Sequence, residues 1–349
     1  MERILVAVLF LLTAGLVTCN GKNGIAQPTL DIYFLDMEGG ASTLIVTPFR
    51  ESILIDTGSR TPDHRDANRI YQAIRDAGLE HIDHLVTTHF HSDHFGGIGY
   101  LAELVPIRRF YDKGALPPEK ETGWFRELYP RYRNATGDDI ITVRAGDDIP
   151  LRQDPEGVLP TLRLRCLASE KQVEGFRGDI DAPVPGFEIR EPDGSDNARS
   201  IALRLSYGDF AFFAGGDITW NVEHHLIEPV NRIGQVDLYQ VTHHGLDLSN
   251  NPLLIQSIKP VVAVAMNGPR KGVQPGTFKS LTTLPTLQAL YQLNYNVQAG
   301  AEGNTDPALV ANPEDAEGGN SVKAAVSAGD GTIRMSFRER GESRTFSYR

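Results

Sequence analysis

The stretch that decides the fold and chemistry of this chain reads Thr88-His89-Phe90-His91-Ser92-Asp93-His94. It follows an apolar strand predicted at 83–87 and precedes glycines that allow the backbone to turn. In an extended segment, His89 and His91 project to one side, so both can bind one ion. As the chain turns, Asp93 and His94 can serve a second ion nearby. Imidazole and carboxylate suit zinc, and also manganese or iron. The stretch therefore predicts a centre for two divalent metal ions, with zinc as the expected metal.

Strands alternate with helices in the remaining sequence, which is typical of layered α/β architecture. The predicted strands lie at 31–35, 43–47, 52–55, 83–87, 201–206, 210–214, 236–242 and 261–265. The predicted helices lie at 65–77, 222–227 and 284–293. Two halves of sheet, each followed by helix, predict an αββα sandwich formed by a single domain over 27–349. We expect irregular insertions near 114–138 and 169–194, a loop at 300–319, and a closing pair of strands turned at Asp330-Gly331.

The N-terminus carries an uncharged apolar run at 4–17. Its length suits a secretory signal better than a membrane span of roughly 20 apolar residues. The run ends in Leu16-Val17-Thr18-Cys19, which resembles the lipobox of bacterial lipoproteins, so we predict a signal peptide over 1–19. Cleavage near Ala26 is the alternative. Either reading predicts export to the periplasm, the exterior or a lipid anchor in the envelope.

The net charge and the cysteine content limit the classes of molecule and the kinds of crosslink expected for this chain. The formal net charge of -11 disfavours extended nucleic acid and anionic membrane. We therefore expect a small-molecule or phosphodiester substrate, with membrane contact only through a lipid anchor. Once Cys19 is removed or lipidated, Cys166 is left without a disulfide partner, and its alternating surroundings predict a buried structural thiol.

The motif around His89 resembles the HxHxDH signature of the metallo-β-lactamase superfamily, and further matches follow in order over roughly 30–265. They are Leu54-Ile55-Asp56-Thr57-Gly58, Phe213-Ala214-Gly215-Gly216-Asp217 and Tyr239-Gln240-Val241-Thr242-His243-His244-Gly245. The resemblance implies that Asp56 braces the metal loop, that Asp217 bridges both metals, and that a strand-end histidine completes the second site. We predict His243 as that ligand because it comes directly off the strand. His244 would then face substrate or donate a proton, while Asp93 would orient the attacking hydroxide.

One expected ligand is missing, because no histidine lies between His94 and His224. The first metal therefore lacks the third imidazole that most of the superfamily supplies. The stretch there is Ser195-Asp196-Asn197-Ala198-Arg199-Ser200, which resembles the hydrolase domain of ComEC-type competence proteins, where an Asn-containing motif replaces that histidine. Asp196 and Asn197 are thus either metal-site residues or a polar turn before a strand.

These features predict a metal-dependent hydrolase that uses a water activated by two metals. An ester, lactone, amide or phosphodiester would be compatible, and the ComEC-type resemblance favours a phosphodiester. The alternatives are a lactone or lactam hydrolase and a non-catalytic, metal-stabilised binding protein of the envelope. Arg270 and Lys271 could form an anion site, although a solvated turn is the role expected for them.

Overall fold

The computed structural model describes residues 28–118, 122–313 and 319–348. The predicted signal peptide, Cys19 and the alternative cleavage site near Ala26 lie outside these ranges. No helix within them is long and apolar enough to cross a membrane.

Two sheets form the centre of the fold. The strands of the first sheet are β1 Leu30–Phe34, β2 Thr43–Val46, β3 Ser52–Ile55, β4 His84–Val86, β5 Phe110–Asp112, β6 Ile140–Thr142, β16 Val322–Ser327, β17 Thr332–Phe337 and β18 Ser343–Ser347. Those of the second are β7 Asp148–Ile149, β8 Leu162–Ser169, β9 Gln172–Val173, β10 Ala202–Tyr207, β11 Phe210–Ala214, β12 Leu238–Gln240, β13 Val262–Ala265, β14 Ala289–Asn294 and β15 Val310–Asn312. The first sheet has the order β18-β17-β16-β1-β2-β3-β4-β5-β6, and the second has the order β15-β14-β13-β12-β11-β10-β8-β7, with β9 paired to β8.

Helices cover the outer face of each sheet. They are α1 Arg65–Asp76, α2 Ser92–Phe95, α3 Ile98–Leu104, α4 Thr122–Thr136, α5 Trp220–Ile227, α6 Pro252–Ile258 and α7 Pro275–Thr282. Strand β3 shows how the layers arise from alternation: Ile53 and Ile55 belong to the core between the sheets, whereas Leu54 belongs to the core beneath α1, α3 and α4. A third core lies between the second sheet and α5, α6 and α7. The fold is therefore the predicted αββα sandwich of the metallo-β-lactamase type.

The structure differs from the sequence predictions at several elements. The segment predicted as a helix at 284–293 covers most of β14, an interior strand buried on both faces. The predicted loop at 300–319 contains β15, and the predicted insertion near 169–194 contains β9. The insertion near 114–138, predicted to be irregular, contains the 15-residue helix α4. The chain closes with the three strands β16, β17 and β18 instead of a pair. Cys166, in contrast, is a free and fully buried thiol as predicted, and burial raises its pKa.

Candidate metal centre

The first half of the centre is the loop that leaves β4. Asp56 follows β3 with a left-handed backbone (φ 61°) and is nearly inaccessible to solvent. Its Oδ1 accepts a hydrogen bond from the Thr88 backbone N–H at 2.8 Å, and its Oδ2 accepts one from Thr88 Oγ1 at 2.8 Å. The same Oδ2 accepts the Nδ1–H of His94 at 2.7 Å. Asp56 therefore links both ends of the histidine loop.

The second half comes from the ends of strands in the other sheet. Asp217 follows β11, and its backbone N–H donates to Ser200 Oγ at 3.2 Å. Past β12, His243 and His244 both adopt left-handed conformations, with φ of 51° and 55°. The His243 N–H donates to the carbonyl of Gly216 at 3.0 Å, which ties this turn to the Asp217 loop.

Imidazole and carboxylate atoms from the two halves converge on Asp217. Its Oδ2 lies 3.2 Å from Nε2 of His94, 3.3 Å from Nε2 of His243 and 3.4 Å from Nε2 of His244. Two sets of ligand atoms are close enough to hold an ion: His89, His94 and Asp217, and Asp93, His94 and His244. His91 lies beside the first set, with its ring centroid 4.7 Å from that of His89.

The outward hydrogen bonds of the imidazoles determine which nitrogen faces the centre. Nδ1 of His94 donates to Asp56, and Nδ1 of His244 donates to the Met266 carbonyl at 3.1 Å. Ser249 Oγ donates to the Ile218 carbonyl, so it accepts the Nδ1–H of His243 at 3.0 Å. When a ring with this outward bond is neutral, its Nε2 is unprotonated and faces the centre, because a neutral imidazole carries a single N–H.

His89 follows the same pattern through Thr88. Thr88 Oγ1 donates to Asp56, so it accepts the Nδ1–H of His89 at 3.1 Å. Nε2 of His89 is buried and has no hydrogen-bond partner among the described residues. Nitrogen lone pairs that face the Asp217 carboxylate at 3.2 to 3.4 Å repel it unless a proton or a metal ion lies between them. The residues present therefore fit the divalent metals that the sequence predicted.

The electrostatics of the centre agree with this reading. Burial and the nearby His94 and His91 hold the pKa of His89 well below its usual range, and burial lowers that of His243 to about 4. Burial also opposes protonation of His94, but the carboxylates of Asp217, Asp56 and Asp93 raise its pKa well above the ordinary value. A positive charge near these carboxylates is thus favourable, and either a proton on His94 or a metal ion can supply it.

The positions of the paired histidines differ from the prediction. His244 lies with the second set, since its Nε2 is 3.4 Å from Asp93 Oδ2 and 3.3 Å from Nε2 of His94. With Nδ1 bonded to a carbonyl, it has the geometry of a ligand and not of a proton donor. His243 instead lies on the other side of Asp217, 3.4 Å from the side-chain amide of Asn197. The left-handed turn causes this exchange, because the chain does not continue in strand geometry past Val241.

Asp196 and Asn197 have separate roles. Asp196 is fully buried, its Oδ2 accepts the backbone N–H of Phe90 at 2.7 Å, and its Oδ1 lies 3.0 Å from Nζ of Lys113. It therefore supports the loop between His89 and His91 and belongs to neither set of ligand atoms. Asn197 approaches His243, and its buried Oδ1 has no hydrogen-bond partner among the described residues.

Lys271 lies closer to the centre than the sequence predicted. Its Nζ donates to Asp93 Oδ2 at 2.5 Å and to the Gly39 carbonyl at 2.9 Å. The expected role, a solvated turn, is therefore wrong for this lysine. No local pattern could reveal it, because the contact joins residues that are far apart in sequence.

Known proteins resemble parts of this chain. Residues 35–165, less than half of the chain, match the sequence model of the metallo-beta-lactamase superfamily. The thioesterase for atrochrysone carboxyl ACP from Aspergillus terreus is 39% identical over 67 residues, which are 19% of this chain and 20% of that protein. The chain thus spans about a fifth of this curated relative.

Three solved structures are similar over larger shares. The E377D mutant of the CmlA beta-hydroxylase is 16% identical at a TM-score of 0.41, over 75% of this chain and 52% of that one. CmlA itself, a diiron beta-hydroxylase from Streptomyces venezuelae, is 16% identical at a TM-score of 0.35, over 68% of this chain and 44% of that one. A diphosphatase from the PhnP family is 14% identical at a TM-score of 0.39, over 85% of this chain and 97% of that one. The sequence match to the metallo-beta-lactamase superfamily covers the part of the chain that carries His89, His91, Asp93 and His94.

Proposed function

We propose that this protein is a metal-dependent hydrolase that cleaves an ester bond, with a phosphodiester as the favoured substrate. The observation that carries the proposal is the convergence of three imidazole Nε2 atoms on one oxygen of Asp217, at 3.2, 3.3 and 3.4 Å. Superfamily relationship supports hydrolysis as the reaction type. The narrower resemblance to ComEC-type hydrolases rests on sequence motifs alone.

The metals would be held between the two halves of the centre. We assign His89, His91 and Asp217 to the first ion, and Asp93, His94, His244 and Asp217 to the second. His243 and Asn197, whose side chains approach each other to 3.4 Å, would fill the position of the missing third imidazole. Two divalent ions, zinc in our proposal, would supply hydroxide at neutral pH and polarise the group under attack. The ligand set contains only nitrogen and oxygen, so manganese or iron would also be accommodated.

The protein's own residues bind and orient. Asp56 holds the His94 ring in one tautomer, and the Met266 carbonyl does the same for His244. Such outward hydrogen bonds fix ring direction and increase ligand basicity. Although burial raises it, the pKa of Asp217 is held well below its usual range by His243, His94 and His244, so its carboxylate is ionised when it meets a cation.

Metal content and turnover test the proposal together. The purified protein should hold two equivalents of metal, lose turnover of bis(4-nitrophenyl) phosphate and 4-nitrophenyl esters in chelator, and regain it on reloading. Asp217→Asn keeps the shape of the side chain but removes its charge, so we expect at least about a 100-fold loss of turnover. Asp209→Asn, in an exposed turn, is the matched control. One equivalent of metal with no turnover of phosphodiester, ester or lactam would refute the hydrolase and favour a metal-stabilised binding protein.

Export remains a proposal of its own. It is supported by the uncharged apolar run at 4–17 and by the residues that end in Cys19. The N-terminal residue of the mature protein distinguishes cleavage before Cys19 from cleavage near Ala26.

A further inference from the structure

We propose that Lys271, together with the cavity beside it, binds the anionic group of the substrate next to the metal centre. This inference rests on the proposed function and narrows it to substrates that carry a phosphate or carboxylate oxygen beside the bond to be cleaved. It is carried by the position of one ammonium group and by the charge of the cavity next to it.

The turn after β13 holds Lys271 close to the second set of ligand atoms. Gly268 and Lys271 pair across a tight turn after β13, with Gly268 N–H donating to the Lys271 carbonyl at 2.9 Å. A Cβ on Gly268 would lie 2.4 Å from the Glu38 carbonyl oxygen, so only glycine lets this turn pack against the loop after β1. The turn is also tied to the histidine segment, because Val273 N–H donates to the His244 carbonyl at 3.0 Å.

The ammonium group retains capacity for a ligand. An ammonium has three N–H donors, and the contacts with Asp93 and the Gly39 carbonyl use two of them. The side chain is 38% exposed, so the remaining donor has access to solvent. When Asp93 binds a divalent ion, the positive charge of Lys271 lies beside that ion, and an anion is needed to balance the two.

The adjoining cavity has the chemistry of an anion site. It has a volume of about 650 Å³ and is lined by three cationic side chains, those of Arg270, Lys271 and Lys279, against the single carboxylate of Glu302. Such a local excess of positive charge stands out in a chain with a net charge of -11. Leu246, two residues beyond His244, also lines the cavity, so the cavity adjoins the histidine turn.

Apolar side chains complete the cavity and indicate the rest of the substrate. Leu246, Val273 and Phe278 form part of its wall. A ligand with an anionic group at Lys271 and an apolar portion against these residues would satisfy both surfaces. The predicted substrate class is therefore an organic phosphate ester or a carboxylate-bearing ester of modest size.

The test uses inorganic phosphate as the probe and the metal-loaded, full-length mature protein. Calorimetry should show that phosphate binds and that Lys271→Met weakens this binding about 10- to 100-fold, since a hydrogen bond to a charged group is lost. Lys271→Arg should restore most of the affinity because it keeps the positive charge. Lys259→Met, an exposed lysine at the end of α6, is the matched control and should bind phosphate like the parent protein.

Turnover provides the second readout. Lys271→Met should lower kcat/KM for bis(4-nitrophenyl) phosphate at least about tenfold more than for neutral 4-nitrophenyl acetate, mainly through KM. Unchanged phosphate affinity, equal losses on both substrates, or loss of metal from Lys271→Met would overturn the inference. Absence of any turnover with phosphate binding intact would instead refute only the proposed hydrolase.

Discussion

Asp196 offers the sharpest test of how the metal loop is supported. Its side chain is fully buried and bonds the backbone N–H of Phe90, the residue between His89 and His91, at 2.7 Å. Its other oxygen lies 3.0 Å from the buried ammonium of Lys113, which also contacts Glu170 at 2.6 Å. Asp196→Ala therefore removes a charge-assisted bond to the loop and one of the carboxylates around Lys113.

The size of the effect follows from these contacts. A buried N–H left unpaired costs about 1–3 kcal/mol. Breaking a buried ion pair costs about 3–5 kcal/mol, and Glu170 keeps part of that interaction with Lys113. We therefore expect Asp196→Ala to lower the free energy of unfolding by about 4 kcal/mol. Asp196→Asn should fall in between, because its amide retains an acceptor for Phe90 but turns N–H groups towards Lys113.

Urea unfolding in chelator measures this stability without a contribution from metal. Zinc titration of the folded variant then measures the effect on the loop, for which we expect about a 10- to 100-fold loss of affinity. Asp209→Ala, in an exposed turn, should change stability by less than about 0.5 kcal/mol. If Asp196→Asn bound zinc like the parent protein and unfolded at the same urea concentration, Asp196 would not be the support described.

Two further predictions concern single carboxyl groups. Asp56→Asn would present an amide to Nδ1 of His94 and favour the wrong tautomer of that ring. Zinc affinity measured by calorimetry should therefore fall about 10- to 100-fold. Thr88→Val removes only the hydroxyl bond to Asp56 and should lose less affinity. Burial raises the pKa of Glu223 from 4.5 to about 7, so the native state holds a proton that the unfolded chain releases. Stability should therefore decline by about 3 kcal/mol as pH rises from about 4.5 to about 7 and level off above it. Urea unfolding of Glu223→Gln across this range should show a shallower decline, and an identical slope would contradict the assignment.

Local sequence predicted the parts of the site that share one loop. His89, His91, Asp93 and His94 follow a strand within six positions, so their proximity was dictated by the chain itself. The exchange of His243 and His244 was not predictable from strand geometry, because two consecutive left-handed residues turn the chain there. Lys271 and Asp196 act on partners distant in sequence, and only the folded structure brings them together.

The secondary structure, too, was predicted where the local sequence is sufficient and was missed where the sheet environment decides it. Strand β3, for example, was predicted with its observed bounds, Ser52–Ile55. The segment at 284–293 has leucine at every third position, which favours a helix when read alone. Strand β14 is an interior parallel strand that is buried on both faces. Its sequence therefore lacks the alternation of polar and apolar residues that would predict a strand.

The two sheets each contribute one side of the centre, and this division has a mechanical consequence. An ion held by His94 from the first sheet and Asp217 from the second would act as a reversible crosslink between the two sheets. Because it would bind only when both sides are correctly placed, metal loading would raise the resistance of the entire sandwich to unfolding and not only that of the loops. When metal is scarce, the contact between the sheets would weaken first, so the lifetime of the protein would follow metal supply.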